Sequence, residues 1–336
     1  MVNQAKVSVI TPCFNGESFV HRYFESLLKQ TYENIEVIFI NDGSTDATEQ
    51  IALSYGEKLR ARGIDFIYIC QENRGQAAAI NQGLKIFSGD YLTWPDSDDW
   101  MSPDCIEKKV QYLETNPDKG LVLCRSAIVR ERDGEQIGIL QRRNTKKQWI
   151  FEDLILESDI YFAPGGYMVR ARQFLECLPN RHIYEGRAGQ NWQMLLPVGY
   201  KYACGFIKDI LYFYLVRENS HSRIEKMYAD RVQKIDHQED TLNQTIMSMQ
   251  LPEEERQCYL HMIAAKYHER RMFLALDFRD TETAKEHFQW LQSQQDRVKW
   301  QTKVKFYFGQ SGILWFCLKA LKSALVNIYE CFYRFI

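Results

Sequence analysis

The sequence predicts an α/β fold, a mostly parallel sheet flanked by helices, with a helical extension behind it. Three observations carry this. Over the first hundred residues, short apolar runs alternate with helix-spaced stretches joined by short connections. Polar clusters follow four successive predicted strands, at the strand ends where ligands bind open α/β sheets. From about Lys226 the strand pattern stops and helix-length segments take over.

Each element has its own warrant. Val7-Ser8-Val9-Ile10-Thr11 is a β-rich run that Pro12 is expected to close. Residues 17–30 place Phe19, Tyr23, Leu27 and Leu28 on one helical side. Residues 35–40 form a second strand, and Asn41-Asp42-Gly43-Ser44-Thr45-Asp46 turns the chain into a helix near 46–61, with Ser44 or Asp46 as its cap. A third strand runs over 64–70, a helix over 75–87, and Gly89-Asp90 turns into Tyr91-Leu92-Thr93-Trp94. Late in the chain, helices are expected at 225–248, 253–276 and 281–294, broken at Leu251-Pro252 and Asp280-Thr281, with Thr281 as a cap.

Bulk composition narrows the function. The 336 residues suffice for one large domain or two ordinary ones. Hydrophobic residues make up 45% and charged residues 26%, ordinary globular values, and the net charge of -2 provides no basic field for nucleic acid. The nine cysteines show no CxxC and several lie in apolar runs, Cys70 among them, so they read as reduced, mostly buried thiols. No secretory signal pattern opens the sequence, and no apolar run reaches the roughly 18–20 residues that span a bilayer.

The four strand-end clusters are Pro12-Cys13-Phe14-Asn15, Asn41-Asp42-Gly43-Ser44, Glu72-Asn73-Arg74-Gly75 and Asp96-Ser97-Asp98-Asp99. Each has a plain structural reading as turn or cap chemistry, but the topology gathers all four at one edge. On extended backbone Asp96 and Asp98 point the same way. Carboxylates crowded there repel one another and resist desolvation, and a hard divalent cation, Mn²⁺ or Mg²⁺, relieves both. There is no GxGxxG after the first strand and no GxxxxGK[ST]. The dinucleotide and P-loop readings therefore lose their support.

These residues, with Glu36, Asn81 and Gly83 between the clusters, resemble the family 2 glycosyltransferases, strongly over residues 5–110 and more weakly over 160–224. The resemblance implies a GT-A fold, a Rossmann-like mostly parallel sheet flanked by helices, over residues 1–224. It also implies sugar transfer with inversion from a nucleotide-sugar donor. Thr11, Pro12, Phe14, Asn15 and Glu17 are then expected to line the nucleoside pocket and Asp42 to bond the base, typically uracil. Arg74 and Gly75 would lie along the nucleotide. Asp96 and Asp98 become the DxD pair on the donor and its metal, and Asp99 is close enough to share either task.

The pattern departs from the family where a general base belongs. The usual acidic pair aligns with Gln190-Asn191, and an amide takes no proton at neutral pH. Glu185 is the substitute base, or Asn191 positions the acceptor, or catalysis is lost. As a plain alternative, Asn191 caps a helix. Further on, Arg217, His221 and Arg223 sit in a polar loop that the resemblance returns to the diphosphate. His221 is a candidate third metal ligand.

Residues 225–336 read as a helical extension. At about 312–336 an apolar stripe of Leu314, Cys317, Leu318, Leu321, Leu325, Ile328 and Phe332 fits an interfacial membrane helix, or packing on protein or a second subunit. The expectation is a cytoplasmic glycosyltransferase, peripheral on the inner face of the plasma membrane, acting on a glycan or glycolipid acceptor of a bacterial surface polysaccharide. The rivals are a non-catalytic nucleotide-sugar-binding or scaffold protein and a nucleotidyltransferase.

Overall fold

The computed structural model describes residues 4–217, 227–294 and 298–311. The chain divides into two compact units. One is Met1–Ile224 with Asp240–Pro252, and the other is Glu225–Glu239 with Glu253–Ile336.

The first unit is built on one sheet. Strands β1 (Val7–Cys13), β2 (Ile35–Asp42), β3 (Asp65–Gln71) and β4 (Tyr91–Thr93) lie parallel in the order β3-β2-β1-β4. The sheet continues as β8 (Tyr167–Arg170), β6 (Lys119–Arg130), β9 (Ala203–Val216) and β5 (Trp100–Met101), with β7 (Gln136–Leu140) paired to β6. In this distal half β8 runs antiparallel to both of its neighbours, whereas β6 and β9 are parallel.

Continuous apolar runs mark strands covered on both faces, and every residue of β1 and β2 is buried. Helix α1 (Val20–Leu28) presents Val20, Tyr23, Phe24 and Leu27 to this core. Phe24 lies 5.0 Å from Tyr55 on helix α2 (Thr48–Ala61), stacked at 11°, and 5.0 Å from Phe39 on β2. Fully buried aromatics of this kind stabilise by about 1.5–3 kcal/mol each. Helix α3 (Gln76–Ile86) sits tightly on β1, since a Cβ at Gly83 would meet Ile10 at 2.5 Å. Helices α4 (Cys105–Thr115), α5 (Phe151–Leu156), α6 (Ala171–Cys177) and α7 (Gln190–Lys201) complete the layers.

Helix α8 (Tyr228–Ser248) straddles the division, its residues 240–248 belonging to the first unit. The second unit contains α9 (Glu253–Asp277), α10 (Thr281–Ser293) and α11 (Trp300–Gly309). Its core gathers Met272, Leu276, Phe288 and Phe306, with the last two rings stacked at 3.8 Å. Among the described residues no helix is long and apolar enough to cross a membrane.

Several expectations need correction. Pro12 does not close β1, which runs to Cys13. Pairing with β4 ends at Val9, so Pro12 lies where β1 is paired on one side only, a position that tolerates a missing N–H. Helix α1 starts at Val20, because residues 17–19 form a turn whose Phe19 and Val20 amides close onto the Gly16 carbonyl. Thr281 is the first residue of α10. The cap is Asp280, whose carboxylate accepts from the Thr283 amide at 3.1 Å. Cys70 is exposed, since β3 is an edge strand, although Cys13, Cys105, Cys124 and Cys204 are buried free thiols. The distal strands and α11 were not foreseen.

Candidate functional site

Parallel strands end at the same edge, so the loops after β1, β2, β3 and β4 converge there. The first two are laced together. The Asn15 amide donates to Ser44 Oγ and its Oδ1 accepts from the Thr45 amide, both at 2.9 Å. The Glu17 amide reaches Asp46 Oδ2 and Glu17 Oε2 accepts from the Ala47 amide, each at 3.0 Å. Asn15 adopts φ 49°, a left-handed conformation that Asn tolerates better than most residues. Phe14 beside it is 42% exposed, a large apolar face at the rim. Neither Ser44 nor Asp46 is the cap of α2, which is Ala47; Asp46 accepts from the Thr48 amide at 3.0 Å and the Ser44 hydroxyl accepts from the Asn15 amide.

Asp42 is a loop organiser as the chain stands. Its Oδ1 accepts from Gln71 Nε2 at 2.6 Å and the Arg74 amide at 3.0 Å, and its Oδ2 from the Gly75 amide at 2.9 Å. Gly75 has φ 90°, a conformation open to glycine, and opens α3. One expected contact is corrected. Thr11 is wholly buried and its hydroxyl pairs with Tyr23 at 2.6 Å, so its side chain belongs to the core beneath the site. Pro12 is buried beside it.

At the end of β4, Asp96, Asp98 and Asp99 bring one carboxylate oxygen each within 4.8 Å of one another. Burial, then the charge of Asp98, pushes Asp96 up to about 7, against a bond from Gln76 at 2.7 Å. Burial also raises Asp98, partly offset by Arg217, whose Nε lies 3.4 Å away. Asp99 is fully buried and raised well above the carboxylate range by burial and both neighbours. Its oxygens are occupied: Tyr212 donates at 2.7 Å and the Leu215 amide at 2.8 Å. Asp99 therefore ties the acidic turn to β9, which leaves Asp96 and Asp98 as the candidate ligands. Crowded hard-oxygen donors faced, among the described residues, by one guanidinium suit a divalent cation. Residues 218–226 lie outside the described residues, and His221 and Arg223 with them.

Across from this turn, the segment 183–193 is held by amides. Asn81 brackets Ile183, donating to its carbonyl at 2.9 Å and accepting from its N–H at 2.8 Å. Gln193 does the same for Tyr184, at 2.8 and 2.6 Å. Glu185 pairs with Arg74 at 2.6 Å. Gln190 and Asn191 open α7 behind Gly189, so Asn191 is not the cap; its Oδ1 accepts from Trp94 Nε1 at 2.9 Å. A cavity of about 250 Å³ is lined by Asn73, Arg74, Gly75, Gln76, Arg187 and Gln190.

The structure thus brings together Phe14, Asn15, Glu17, Asp42, Arg74 and Gly75 along the rim, with Asp96 and Asp98 at the end of β4. Arg74 links the rim to Glu185, and Trp94 links the acidic turn to Asn191. Sequence reading missed Gln76, Trp94 and Tyr212. Gln76 alone had a signal, its place directly after Arg74-Gly75. Burial pushes the Cys13 thiol up to about 12, so the cysteine in this cluster is no nucleophile.

The model of the family described as Glycosyl transferase family 2 matches residues 8–178. An uncharacterised glycosyltransferase of Rickettsia typhi is 40% identical over 117 residues, which is 35% of this chain and 35% of that protein. Glycosyltransferase GlyA of Streptococcus pneumoniae serotype 4 is 42% identical over 116 residues, 33% of this chain and 16% of that protein. The match thus spans about a third or less of the length of these relatives. Among solved structures, Staphylococcus aureus TarS 1–349 in complex with UDP-GlcNAc gives a TM-score of 0.58 at 19% identity, covering 85% of this chain and 83% of that one. Mannosyltransferase PcManGT from Pyrobaculum calidifontis, in complex with GDP-Man and Mn²⁺, gives 0.57 at 17% identity, covering 97% and 81%. These likenesses establish the fold as GT-A. Four strand-end clusters on that fold, and a family match over half its length, make this chain a member of glycosyl transferase family 2.

Proposed function

We propose that this chain transfers a sugar from a UDP-sugar to a hydroxyl of a glycan or glycolipid acceptor, in the synthesis of a bacterial surface polysaccharide. The carboxylate pair Asp96 and Asp98 carries the reading, because it is a metal-type donor set at the rim where a nucleotide-sugar would lie. The UDP-GlcNAc complex of TarS supports the choice of donor by likeness of fold.

In this reading Phe14, Asn15 and Glu17 border the nucleoside, and Asp42 sets the 71–75 loop that brings Arg74 and Gly75 along the nucleotide. Asp98 and Asp96 hold the cation, with His221 as a further ligand. A bound Mn²⁺ or Mg²⁺ supplies Lewis-acid neutralisation of the departing diphosphate. Glu185 takes the proton of the acceptor hydroxyl. It is ion-paired with Arg74, and a donor phosphate that draws Arg74 away frees it for that task. Asn191, fixed by Trp94, orients the acceptor, with Gln190 beside it. The setting is the cytoplasmic face of the plasma membrane, with residues 312–336 making peripheral contact or joining two copies of the chain.

One observation favours a second reading: amides open α7 where the family places an acidic pair, as in a protein that binds a nucleotide-sugar without transferring it. A screen of nucleotide sugars by thermal shift with Mn²⁺ finds the donor, since bound ligand raises apparent stability. Mn²⁺-dependent UDP release from that donor is then expected. Glu185→Gln should lower turnover at least tenfold with donor affinity nearly unchanged. Binding without UDP release would favour the second reading, and pyrophosphate release from a nucleoside triphosphate would make the chain a nucleotidyltransferase.

A further inference from the structure

Helix α11 is inverted relative to an ordinary surface helix, whose outward face is polar. Thr302, Phe306 and Gly309 are buried, on the side where Phe306 stacks on Phe288. At 100° per residue, Trp300, Val304 and Tyr307 fall together on the opposite side, with Phe308 on one flank and Lys299 and Lys303 on the other. Trp300 is 68% exposed, Tyr307 60% and Phe308 40%. Over Lys299–Ser311 there are three lysines and no acidic residue. Lys305 lies over the Phe273 ring at 4.8 Å, whereas Lys299 and Lys303 form no ion pair among the described residues.

We propose that this face of α11 docks on an anionic lipid surface. Trp and Tyr are side chains with an apolar body and a polar edge, suited to the headgroup boundary. The two lysines on one flank, without an ion pair among the described residues, match negative lipid and can extend along the surface from their apolar stems. A soluble protein partner would need complementary carboxylates and a pocket for Trp300. A bilayer needs only the chemistry that this face displays. The proposal rests on the membrane-side reading given above, yet it stands on different residues, Trp300 to Phe308 rather than 312–336.

The test is co-sedimentation of the full chain with vesicles of phosphatidylglycerol and phosphatidylcholine, against phosphatidylcholine alone, at low and high salt. The full chain should bind the anionic vesicles at least tenfold more tightly. Trp300→Glu with Tyr307→Glu should lower that affinity at least tenfold, with melting temperature and Mn²⁺-dependent UDP release in solution unchanged. Trp300→Phe should retain most binding. Lys303→Glu should cost at least about fivefold at low salt and little at high salt. Unchanged vesicle affinity in the double variant overturns the proposal, as does a wild-type chain that binds no vesicles. A double variant that loses an oligomer and keeps vesicle binding also overturns it, since a second copy then covers the face. Deletion of 312–336 separates the two readings. If only the deletion abolishes binding, the tail is the anchor and α11 is not; if only the α11 variant does, the reverse holds.

Discussion

Glu36 and Asp98 sit at opposite ends of one sheet, and the protein treats these two acidic positions in opposite ways. Glu36, at the start of β2, is 3% exposed and fully provided for. It accepts from the Ser8 hydroxyl, from the Ser88 amide at 2.6 Å and from the Ser88 hydroxyl at 2.8 Å, with Lys6 at 3.4 Å. Burial by itself would raise its pKa, but these partners outweigh burial and lower it. At the other end, among the described residues, Asp96 has one protein donor, Gln76, and Asp98 faces one guanidinium. Both are raised, with Asp99 beside them. Burial does not separate a structural carboxylate from a functional one. What separates them is whether the protein itself supplies the compensating donors.

Breaking the comparison at the functional end should have the largest effect. Outer-shell changes at metal sites cost roughly 10- to 100-fold in affinity, so replacing the proposed ligand with Asp98→Asn should cost Mn²⁺-dependent donor affinity at least about 100-fold. The fold should be unaffected, because fewer like charges then crowd the turn. Calorimetric titration of donor with and without Mn²⁺ reads this, and an unchanged metal dependence would contradict the ligand role.

The other end should respond in stability alone. Glu36→Ala strands the buried Ser8 hydroxyl together with the Ser88 hydroxyl and amide and should cost about 2–4 kcal/mol. Denaturant unfolding measures this loss. The Mn²⁺ dependence of donor binding should stay as it was, and a shift there would mean that the two ends are coupled through β1 and β2.

The smallest effect is on slope. Glu36 is lowered in the fold, so its contribution is present above the unfolded value near 4.5 and is lost as pH falls through the folded value. Asp96 is raised to about 7 from 3.8, so the folded state holds the extra proton between those values and metal-free stability falls as pH rises across them. In EDTA, Glu36→Gln should flatten the acid side of the stability profile and Asp96→Asn the neutral side. Each change is bounded by about 1.4 kcal/mol per pH unit for a single group. Matching slopes in both variants would remove the contrast.

The readable part of the fold was its N-terminal half. Alternating apolar runs and helical spacing are local signals, and β1 to β4 with α1 to α3 follow from them within a few residues. The distal half was not readable, because β6 pairs with β8 and β9 through long-range register that no local period encodes. Corrections fell at boundaries. Pro12 stays in a strand because of which neighbour is absent, and Thr11 is buried because Tyr23 takes its hydroxyl.

The sequence by itself determined which chemistry was available: polar clusters behind successive strands, an acidic pair two residues apart, and a lysine-and-aromatic C-terminal region. Tertiary structure decided what each group does. Tyr212 claims Asp99 across 113 positions, Arg74 claims Glu185 across 111, and Trp94 fixes Asn191 across 97. A residue type and its spacing set what a side chain can donate or accept. Only the folded chain sets which donor reaches it first, and what remains unmatched is left for a ligand.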